Sequence, residues 1–156
     1  MTGKVYVGID PGSKGAIAVI IGDAISIYDM PTPEKALEIL KKPQPWECRV
    51  AIEQVHPLPG QSCIASFTYG ENFLLAKLIG MCYNIHPVMV SPQRWKKHYG
   101  LKKDPSETKT EYKRKSVEKA KELFPQAAEF LKYSKDGRAE ALLIANWLRE
   151  QDEQGN

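Results

Sequence analysis

The sequence has only three cysteines, and their spacing excludes the structures that cysteines most often build. Cys48, Cys63 and Cys82 are odd in number, widely separated and without a CxxC pair. Disulfide frameworks use an even number of cysteines, and zinc sites use closely spaced pairs. We therefore expect three reduced thiols, most of them packed in the interior, and no structural zinc site.

Long apolar runs and targeting segments are also missing. No apolar run approaches the roughly 20 residues that a membrane-spanning helix needs, and the first residues lack the pattern of a signal peptide. We expect a cytoplasmic protein without membrane association. With 156 residues, 42% of them hydrophobic, the chain fits one domain over residues 1–156. Its polar tail, from about residue 150, is expected to fray.

A large excess of charge of one sign is also absent, since the formal net charge is only +3. The charged residues are nevertheless unevenly distributed along the chain. Between Arg94 and Lys121 the chain carries eleven lysines and arginines against four acids. A basic middle in a nearly balanced protein favours a polyanionic partner on one face. The alternative is a solvated, charge-rich surface helix.

The hydrophobic periodicity predicts alternating strands and helices. We predict strands over 4–10, 15–21, 24–30, 49–53 and 86–90, and helices over 34–42, 62–83, 93–99, 111–124 and from Asp136 onward. This order indicates an α/β protein in which an antiparallel three-stranded meander leads into parallel strands. It resembles the ribonuclease H-like fold, a mixed central sheet flanked by helices.

Two carboxylates stand at the ends of apolar runs that we predict as strands. Asp10 precedes a Pro-Gly turn, and Glu53 precedes a proline-rich loop. Side chains at strand ends leave the packed layer and meet solvent, which is where α/β proteins build sites. The alternatives are a turn-capping aspartate for Asp10 and a solvent-facing glutamate on an edge strand for Glu53.

Two further acids, Asp136 and Glu140, lie four residues apart at the start of the last predicted helix. This spacing places both on one helix face, where like charges repel unless a cation lies between them. Alternatively, Asp136 is a plain N-cap and Glu140 a solvated acid of the first turns. Four converging carboxylates suit hard cations, Mg²⁺ or Mn²⁺, and two such ions can hydrolyse a phosphodiester.

Three motifs carry a resemblance to a known family: Gly8-Ile9-Asp10-Pro11-Gly12, Ala51-Ile52-Glu53-Gln54-Val55 and Asp136-Gly137-Arg138-Ala139-Glu140-Ala141-Leu142. In this order the chain resembles the RuvC-like Holliday-junction resolvases, especially their phage-encoded branch, in which case it acts in the host-cell cytoplasm. The resemblance implies a homodimer that binds four-way DNA junctions and nicks two strands symmetrically, with two Mg²⁺ ions per active site.

The resemblance assigns metal-binding roles unequally. Asp10 and Glu53 match the family's first two acids, and Glu140 matches the last. In many relatives the remaining acid lies three residues before the last one, where this chain has Gly137. Asp136 lies one residue earlier, so both its readings, metal ligand and helix cap, stay open.

The resemblance also suggests which residues contact DNA. The loop and helix after residue 56 resemble the part that faces the junction core, with Phe67 or Tyr69 as a wedge, although aromatic residues at helical spacing also suit a core. Leu74, Leu78 and Met81 belong either to the dimer interface or to the core. Lys135 or Arg138 is a candidate to steady phosphate charge. The predicted DNA contacts are Gln61, Ser62, Ser66, Phe67, Tyr69, Asn72, Arg94, Lys96, Lys97, Lys102, Lys103, Lys113 and Arg114.

Other functions compete with junction cleavage. A nuclease of the same fold that acts on other branched DNA or on RNA–DNA hybrids has similar sequence features. A non-catalytic junction-binding protein gains nothing from carboxylates that face phosphate. Sugar-kinase and actin-like ATPases also begin with a strand ending in Asp-x-Gly, but they need a second lobe that 156 residues do not provide. We expect no small-molecule cofactor.

Overall fold

The computed structural model describes residues 4–40, 47–54, 56, 59–84 and 86–155. A five-stranded sheet forms its centre, in the order β3-β2-β1-β4-β5. Strands β1, β2 and β3 pair antiparallel, whereas β4 pairs parallel with both β1 and β5. The predicted meander that leads into parallel strands is confirmed. The strands are β1 Val5–Asp10, β2 Ala16–Ile21, β3 Ala24–Asp29, β4 Cys48–Glu53 and β5 Val88–Val90.

Helices cover both faces of the sheet, and most of them begin where the sequence supplies a capping side chain. Ser62 and Ser91 accept a hydrogen bond from the backbone of the first turn of α2 and α3, respectively. Thr108 and Glu111 form a capping box at the start of α4. The helices are α1 Pro33–Leu40, α2 Cys63–Tyr83, α3 Pro92–His98, α4 Lys109–Leu123 and α5 Asp136–Glu153, with 3₁₀ turns at Pro125–Phe130 and Tyr133–Lys135.

The alternation of side chains along the central strands separates two hydrophobic clusters. In β1, Val7 and Ile9 pack in the cluster that includes Ile79 of α2. Tyr6, on the opposite face, packs in the cluster formed with α5 and α4. Because side chains alternate with a period of two, Asp10 points to the same face as Tyr6, toward α5. The same reasoning directs Glu53, two residues after Ala51, to that face.

Several element boundaries differ from the sequence prediction. Helix α4 begins at Lys109 rather than at residue 111, because Thr108 caps it. Strand β5 covers only Val88–Val90 and is not buried throughout, since Val88 is 38% exposed. The predicted end of the first helix, at residues 41–42, lies outside the described residues. In the part that the structure describes, no helix is both long and apolar enough to cross a membrane.

The polar C-terminal segment and the cysteines also depart from expectation. Helix α5 continues to Glu153 instead of fraying from about residue 150. In this helix, the side chain of Asp152 accepts hydrogen bonds from Lys4 and Tyr6 and pairs with Arg49, and these contacts fasten the end of the helix to the sheet. Only one of the three free thiols, that of Cys48, is buried, so the expectation that most are packed in the interior is wrong.

Helix α5 approaches strand β1 so closely that one position between them admits only glycine. A Cβ atom at Gly8 would overlap the carbonyl oxygen of Ala141 and the amide nitrogen of Ala145. Backbone atoms cannot move aside as a flexible side chain does. The contact therefore fixes the distance and register between β1, which carries Asp10, and α5, which carries Asp136 and Glu140.

We predict that Gly8→Ala lowers the free energy of unfolding by on the order of 3 kcal/mol, because the added methyl group forces β1 and α5 apart. Urea denaturation measures the change. Gly70→Ala is the matched control, since nothing lies within 4 Å of a Cβ there. As Gly70 lies within a helix, alanine should raise stability by about 0.5–1 kcal/mol. Equal stabilities of the two variants would contradict the close approach.

Candidate metal centre

Asp10 lies at the carboxyl end of the central strand β1, and its side chain is almost fully buried. Its Oδ1 accepts a hydrogen bond from the backbone N–H of Gly12, 3.1 Å away. The turn continues with a hydrogen bond from the Gly15 N–H to the Gly12 carbonyl, 2.8 Å long. Asp10 therefore does cap this turn, as the alternative reading expected. The cap occupies one carboxylate oxygen and leaves Oδ2 without a donor among the described residues.

Glu53 ends β4 and is buried as well. The edge-strand alternative is wrong for this residue, because β4 lies between β1 and β5. Trp95 of α3 donates a hydrogen bond from Nε1 to Glu53 Oε1 over 2.9 Å. The ring of Trp95 is fully buried, as a hydrophobic anchor would be. The indole also orients the carboxylate, which hydrophobic periodicity does not indicate.

Asp136 and Glu140 project from the first turns of α5. The N-cap position belongs to Lys135 and no side chain caps the helix, so Asp136 is not the N-cap that the alternative proposed. Instead, Asp136 Oδ2 accepts a hydrogen bond from Lys113 Nζ of α4. Glu140 Oε1 pairs with Lys96 Nζ at 3.1 Å and accepts a hydrogen bond from Ser116 Oγ at 3.2 Å.

All four predicted acids line one pocket of about 370 Å³. The turn after β1 forms one wall, and Lys109 and Lys113 of α4 contribute ammonium groups. Two charged residues of this pocket, Lys14 and Lys109, were not among the predicted site residues. Lys14 could have been found from the sequence, since it lies in the turn directly after Asp10. No sequence pattern distinguishes Lys109 from the other lysines of its segment, because its contact with the pocket depends on where α4 begins.

The space around Gly137 accounts for the position of Asp136, one residue before the place where the resemblance leads one to expect an acid. A Cβ atom at position 137 would overlap the Lys14 carbonyl oxygen and lie 2.8 Å from the Gly15 Cα and 3.0 Å from Asp10 Oδ2. A side chain there cannot enter without moving the turn after β1. Asp136 lines the same pocket from the preceding position, so the chain places a carboxylate in the site without occupying that space.

Burial and mutual repulsion make the two strand-end acids hard to ionise. Burial, followed by the charges of Glu53, Glu140 and Asp136, raises the pKa of Asp10 well above its usual range, although the Gly12 N–H opposes the shift. Burial and Glu140 raise the pKa of Glu53 to about 7, against the opposing effects of Trp95 and Lys96. Burial lowers the pKa of Lys96, but Glu140 and Glu53 together raise it above its usual value.

The donor set fits a hard divalent cation. Carboxylate oxygens are the preferred ligands of Mg²⁺ and Mn²⁺, and buried like charges need a counter-charge. Each of the four acids has one oxygen bonded as given above and a second without a donor from the described residues. Among those residues, no three His, Cys, Asp or Glu side chains are already arranged as a metal cage. Lysine ammonium groups hold Asp136 and Glu140 instead.

The predicted junction-facing residues of α2 have diverse environments. Gln61 and Ser62 are exposed, and Ser62 caps the helix. Phe67 is 71% exposed, so the core reading is wrong for this ring. Tyr69 lines the acidic pocket and stacks on Phe73 with ring centroids 6.2 Å apart. Of the remaining predicted contacts in this helix, Ser66 and Asn72 are half-buried.

Farther along α2, three large apolar side chains face outward. Leu74 is 58% exposed, and Leu78 and Met81 are each 47% exposed. The core reading is therefore wrong for these residues too. Together with Ile64 and Phe67 they form an exposed apolar stripe along the helix, which is typical of surfaces that bind another protein.

The predicted phosphate-binding residues divide into two groups. Lys97, Lys102 and Lys103 are exposed. Arg94 and Arg114 are also exposed, and they lie over the rings of Trp147 and Tyr133 at 5.2 and 5.4 Å, respectively. The second group is Lys96 and Lys113, whose ammonium groups bind the acids of the pocket.

Lys135 and Arg138 are already engaged elsewhere, which weakens their candidacy as phosphate contacts. Asp29, at the end of β3, accepts hydrogen bonds from Lys135 Nζ at 2.5 Å and from Arg138 Nε at 2.6 Å. These cations lower the pKa of Asp29 well below its usual range. The sequence prediction missed Asp29, because the predicted strand continues to residue 30, whereas β3 ends at Asp29. The contact fastens the start of α5 to the sheet.

We predict that the metal-free protein is stabilised by Glu53→Gln at alkaline pH. The folded state keeps the Glu53 proton up to pH about 7, whereas an ordinary glutamate loses it near 4.5, so the wild type loses stability as pH rises through this window. Glutamine keeps the oxygen that accepts from Trp95 and carries no charge. In EDTA at pH 8 the variant should gain on the order of 1–3 kcal/mol.

Urea denaturation at pH 4.5 and pH 8 measures this effect, and the gain should shrink at the lower pH. Glu71→Gln, an exposed substitution in α2, is the control and should give no such pH-dependent gain. A Glu53→Gln variant that is less stable than the wild type at pH 8 would show that the charged form is not penalised.

Comparison with known proteins places the fold. No protein-family model matches the sequence, and no curated protein matches it. Among solved structures, T. thermophilus RuvC in complex with Holliday junction substrate has a TM-score of 0.55 and 15% sequence identity. The match covers 97% of this chain and 96% of that chain. The predicted α/β, ribonuclease H-like fold is confirmed, and the chain has the fold of RuvC.

Proposed function

We propose that this protein is a metal-dependent endonuclease that resolves four-way DNA junctions by paired, symmetric nicks. The observation that carries the proposal is the single pocket shared by Asp10, Glu53, Asp136 and Glu140 at the end of β1. A packed interior gains nothing from four carboxylates together, since each makes the others harder to charge. A phosphodiester hydrolase gains a site for hard cations.

We propose two Mg²⁺ ions, replaceable by Mn²⁺, held by these four acids. When bound, such ions activate a water molecule and stabilise the leaving 3′ oxygen of a phosphodiester. Asp10 would help to hold these ions, because it lines the same pocket as Glu53, Glu140 and Asp136 and all three oppose its ionisation when no cation is bound. Trp95 and Ser116 orient Glu53 and Glu140 through their hydrogen bonds.

The basic residues around the acidic pocket supply the proposed DNA surface. Lys109 and Lys113 lie at the pocket itself, and the exposed side chains of Lys97, Lys102 and Lys103 lie on the neighbouring segment. Such residues neutralise backbone phosphates and position DNA without reading its sequence. We infer that Arg94 and Arg114 extend this surface and that Gln61, Ser62, Phe67, Tyr69 and Asn72 contact the junction core.

The proposal includes a branched substrate and a homodimer. RuvC, which shares the fold at low sequence identity, was solved with a Holliday junction substrate. Two symmetric nicks need two active sites, and a second copy of the chain supplies the second. The exposed apolar stripe of α2, described above for Leu74, Leu78 and Met81, is the surface we propose for that contact.

A non-catalytic junction-binding protein is the second candidate function. It is favoured by one observation, namely that the described side chains do not already form a metal cage. The ion pairs of Lys96 and Lys113 account for this without loss of the site. A nuclease for flaps or for RNA–DNA hybrids uses the same acids, so only the substrate distinguishes it.

We predict that Asp10→Asn lowers the rate of junction cleavage in Mg²⁺ by about 10³-fold or more, because it removes a ligand that acts with the whole metal centre. Junction binding should persist, since the change reduces repulsion of phosphate.

The wild-type protein should prefer the four-way junction as substrate. Cleavage assays on labelled four-way, flap, hybrid and linear duplex substrates, compared side by side, measure this preference.

Asp136→Ala tests the least certain ligand, and Asp104→Asn, in an exposed loop, is the matched control. Asp136→Ala should cleave far more slowly than the wild type, and Asp104→Asn should cleave at the wild-type rate. Wild-type cleavage by Asp136→Ala would remove that residue from the site. Undiminished nicking by Asp10→Asn would refute the metal centre, and preferred cleavage of another substrate would replace the junction as substrate.

We predict that Leu74→Glu converts a dimer into a monomer, because it places a charge in the apolar stripe of α2. Light scattering coupled to size-exclusion chromatography measures the mass in solution. Leu123→Glu, on α4, is the matched control because Leu123 is also exposed, at 38%. It should leave the dimer intact. A monomeric wild type, or a Leu74→Glu dimer of undiminished affinity, would contradict this interface.

A further inference from the structure

Two lysines pair with acids of the acidic pocket, which distinguishes them from ordinary phosphate-binding residues. Lys113 Nζ binds Asp136 Oδ2, and Lys96 Nζ lies 3.1 Å from Glu140 Oε1. Both lysines come from the segment whose basic composition suggested a polyanionic partner. Each therefore has two possible anions, a carboxylate of the pocket and a phosphate of DNA.

The two ion pairs neutralise carboxylates that are largely shielded from water. The side chains of Glu140 and Asp136 are each 12% exposed, and that of Lys96 is 18% exposed. Charges removed from water in this way require a partner of opposite sign. In the free protein, the ammonium groups provide that partner at the two acids of α5.

A divalent cation and an ammonium group compete for the same carboxylate. Lys113 uses Asp136 Oδ2, and both Lys96 and Ser116 use Glu140 Oε1. A cation bound at either acid would be placed next to the positive lysine, and the two repel each other. Metal binding at these acids is therefore opposed for as long as the lysines remain paired with them.

The surroundings of both lysines offer an alternative anion site. Lys96 also lines a second pocket of about 420 Å³, with Gln93, Lys97, Lys102 and Tyr112. Among the described residues, no acid lines this pocket, so it favours an anion such as a backbone phosphate. Lys113 is 43% exposed and lies beside Lys109 at the acidic pocket, where a phosphate can reach it.

We propose that Lys96 and Lys113 are exchangeable counter-ions that couple DNA binding to metal binding. In the free protein they pair with Glu140 and Asp136. When DNA binds, its backbone phosphates take the ammonium groups and the two carboxylates become available to metal. The proposal rests on the proposed metal centre and adds its regulation: the free protein binds metal weakly, and DNA and metal each raise the affinity for the other.

Calorimetric titration of the full-length protein with Ca²⁺ tests the first half of the proposal. Without DNA, Lys96→Met and Lys113→Met should each bind Ca²⁺ about tenfold more tightly than the wild type, a change well within the range of coupling between sites. Lys113→Arg keeps the positive charge and should bind as weakly as the wild type. Lys132→Met is the matched control, because Lys132 is exposed and lies outside both pockets, and it should change the affinity by less than about twofold.

The second half is tested by repeating the titration with a saturating four-way junction, with the integrity of the DNA checked on a denaturing gel. The junction should raise the Ca²⁺ affinity of the wild type and of Lys132→Met by about tenfold. The junction should raise the Ca²⁺ affinity of Lys96→Met and Lys113→Met much less, since the carboxylate that the lysine occupied is already free in each variant. Circular dichroism and thermal melting establish that each variant is folded.

The outcomes separate this inference from the proposed function. If Lys132→Met tightens Ca²⁺ binding as much as Lys96→Met and Lys113→Met, the effect is one of net charge and the exchange is wrong. Equal affinities for all folded variants overturn it as well, although the metal centre stands. If no variant binds Ca²⁺, with or without DNA, the proposed metal centre itself fails.

Discussion

The carboxylates of Asp10 and Glu53 lie at the ends of two neighbouring strands, in an environment that opposes their charge. Two further acids from α5 share the pocket, and the positive charges on hand are lysine ammonium groups. The repulsion between these buried like charges determines which groups surround the site. It accounts for the ammonium groups of Lys96 and Lys113 beside Glu140 and Asp136, and it is relieved by protonation of the acids or by contact with cations.

The close backbone contact between β1 and α5 brings these like charges together. Glycine at positions 8 and 137 lets the helix lie directly against the strand and the turn that follows it. Asp29 holds the start of the same helix through Lys135 and Arg138, and Asp152 holds its end. The acids of α5 are thus placed by contacts along the whole helix, and precise placement of ligands requires such rigid support.

The sequence predicted the fold and the four acids because both depend on local patterns. Alternation along the strands, and the abrupt change from apolar residues to Asp10 and Glu53, can be read directly from the chain. The partners of those acids cannot, because Lys96 and Lys113 reach the site through the packing of α3 and α4 on α5. Nor does helical periodicity distinguish a buried stripe from an exposed one, as Leu74 and Leu78 of α2 demonstrate.

Gly137 has a consequence for how this site can change over generations. An acid at position 137 is obstructed by the Lys14 carbonyl oxygen and the Gly15 backbone, so it is not accessible through one substitution. The turn after β1 would have to shift first, and that shift alone would disturb Asp10. An acid at position 137 therefore needs a second change, in the turn after β1, whereas Asp136 lines the pocket without one.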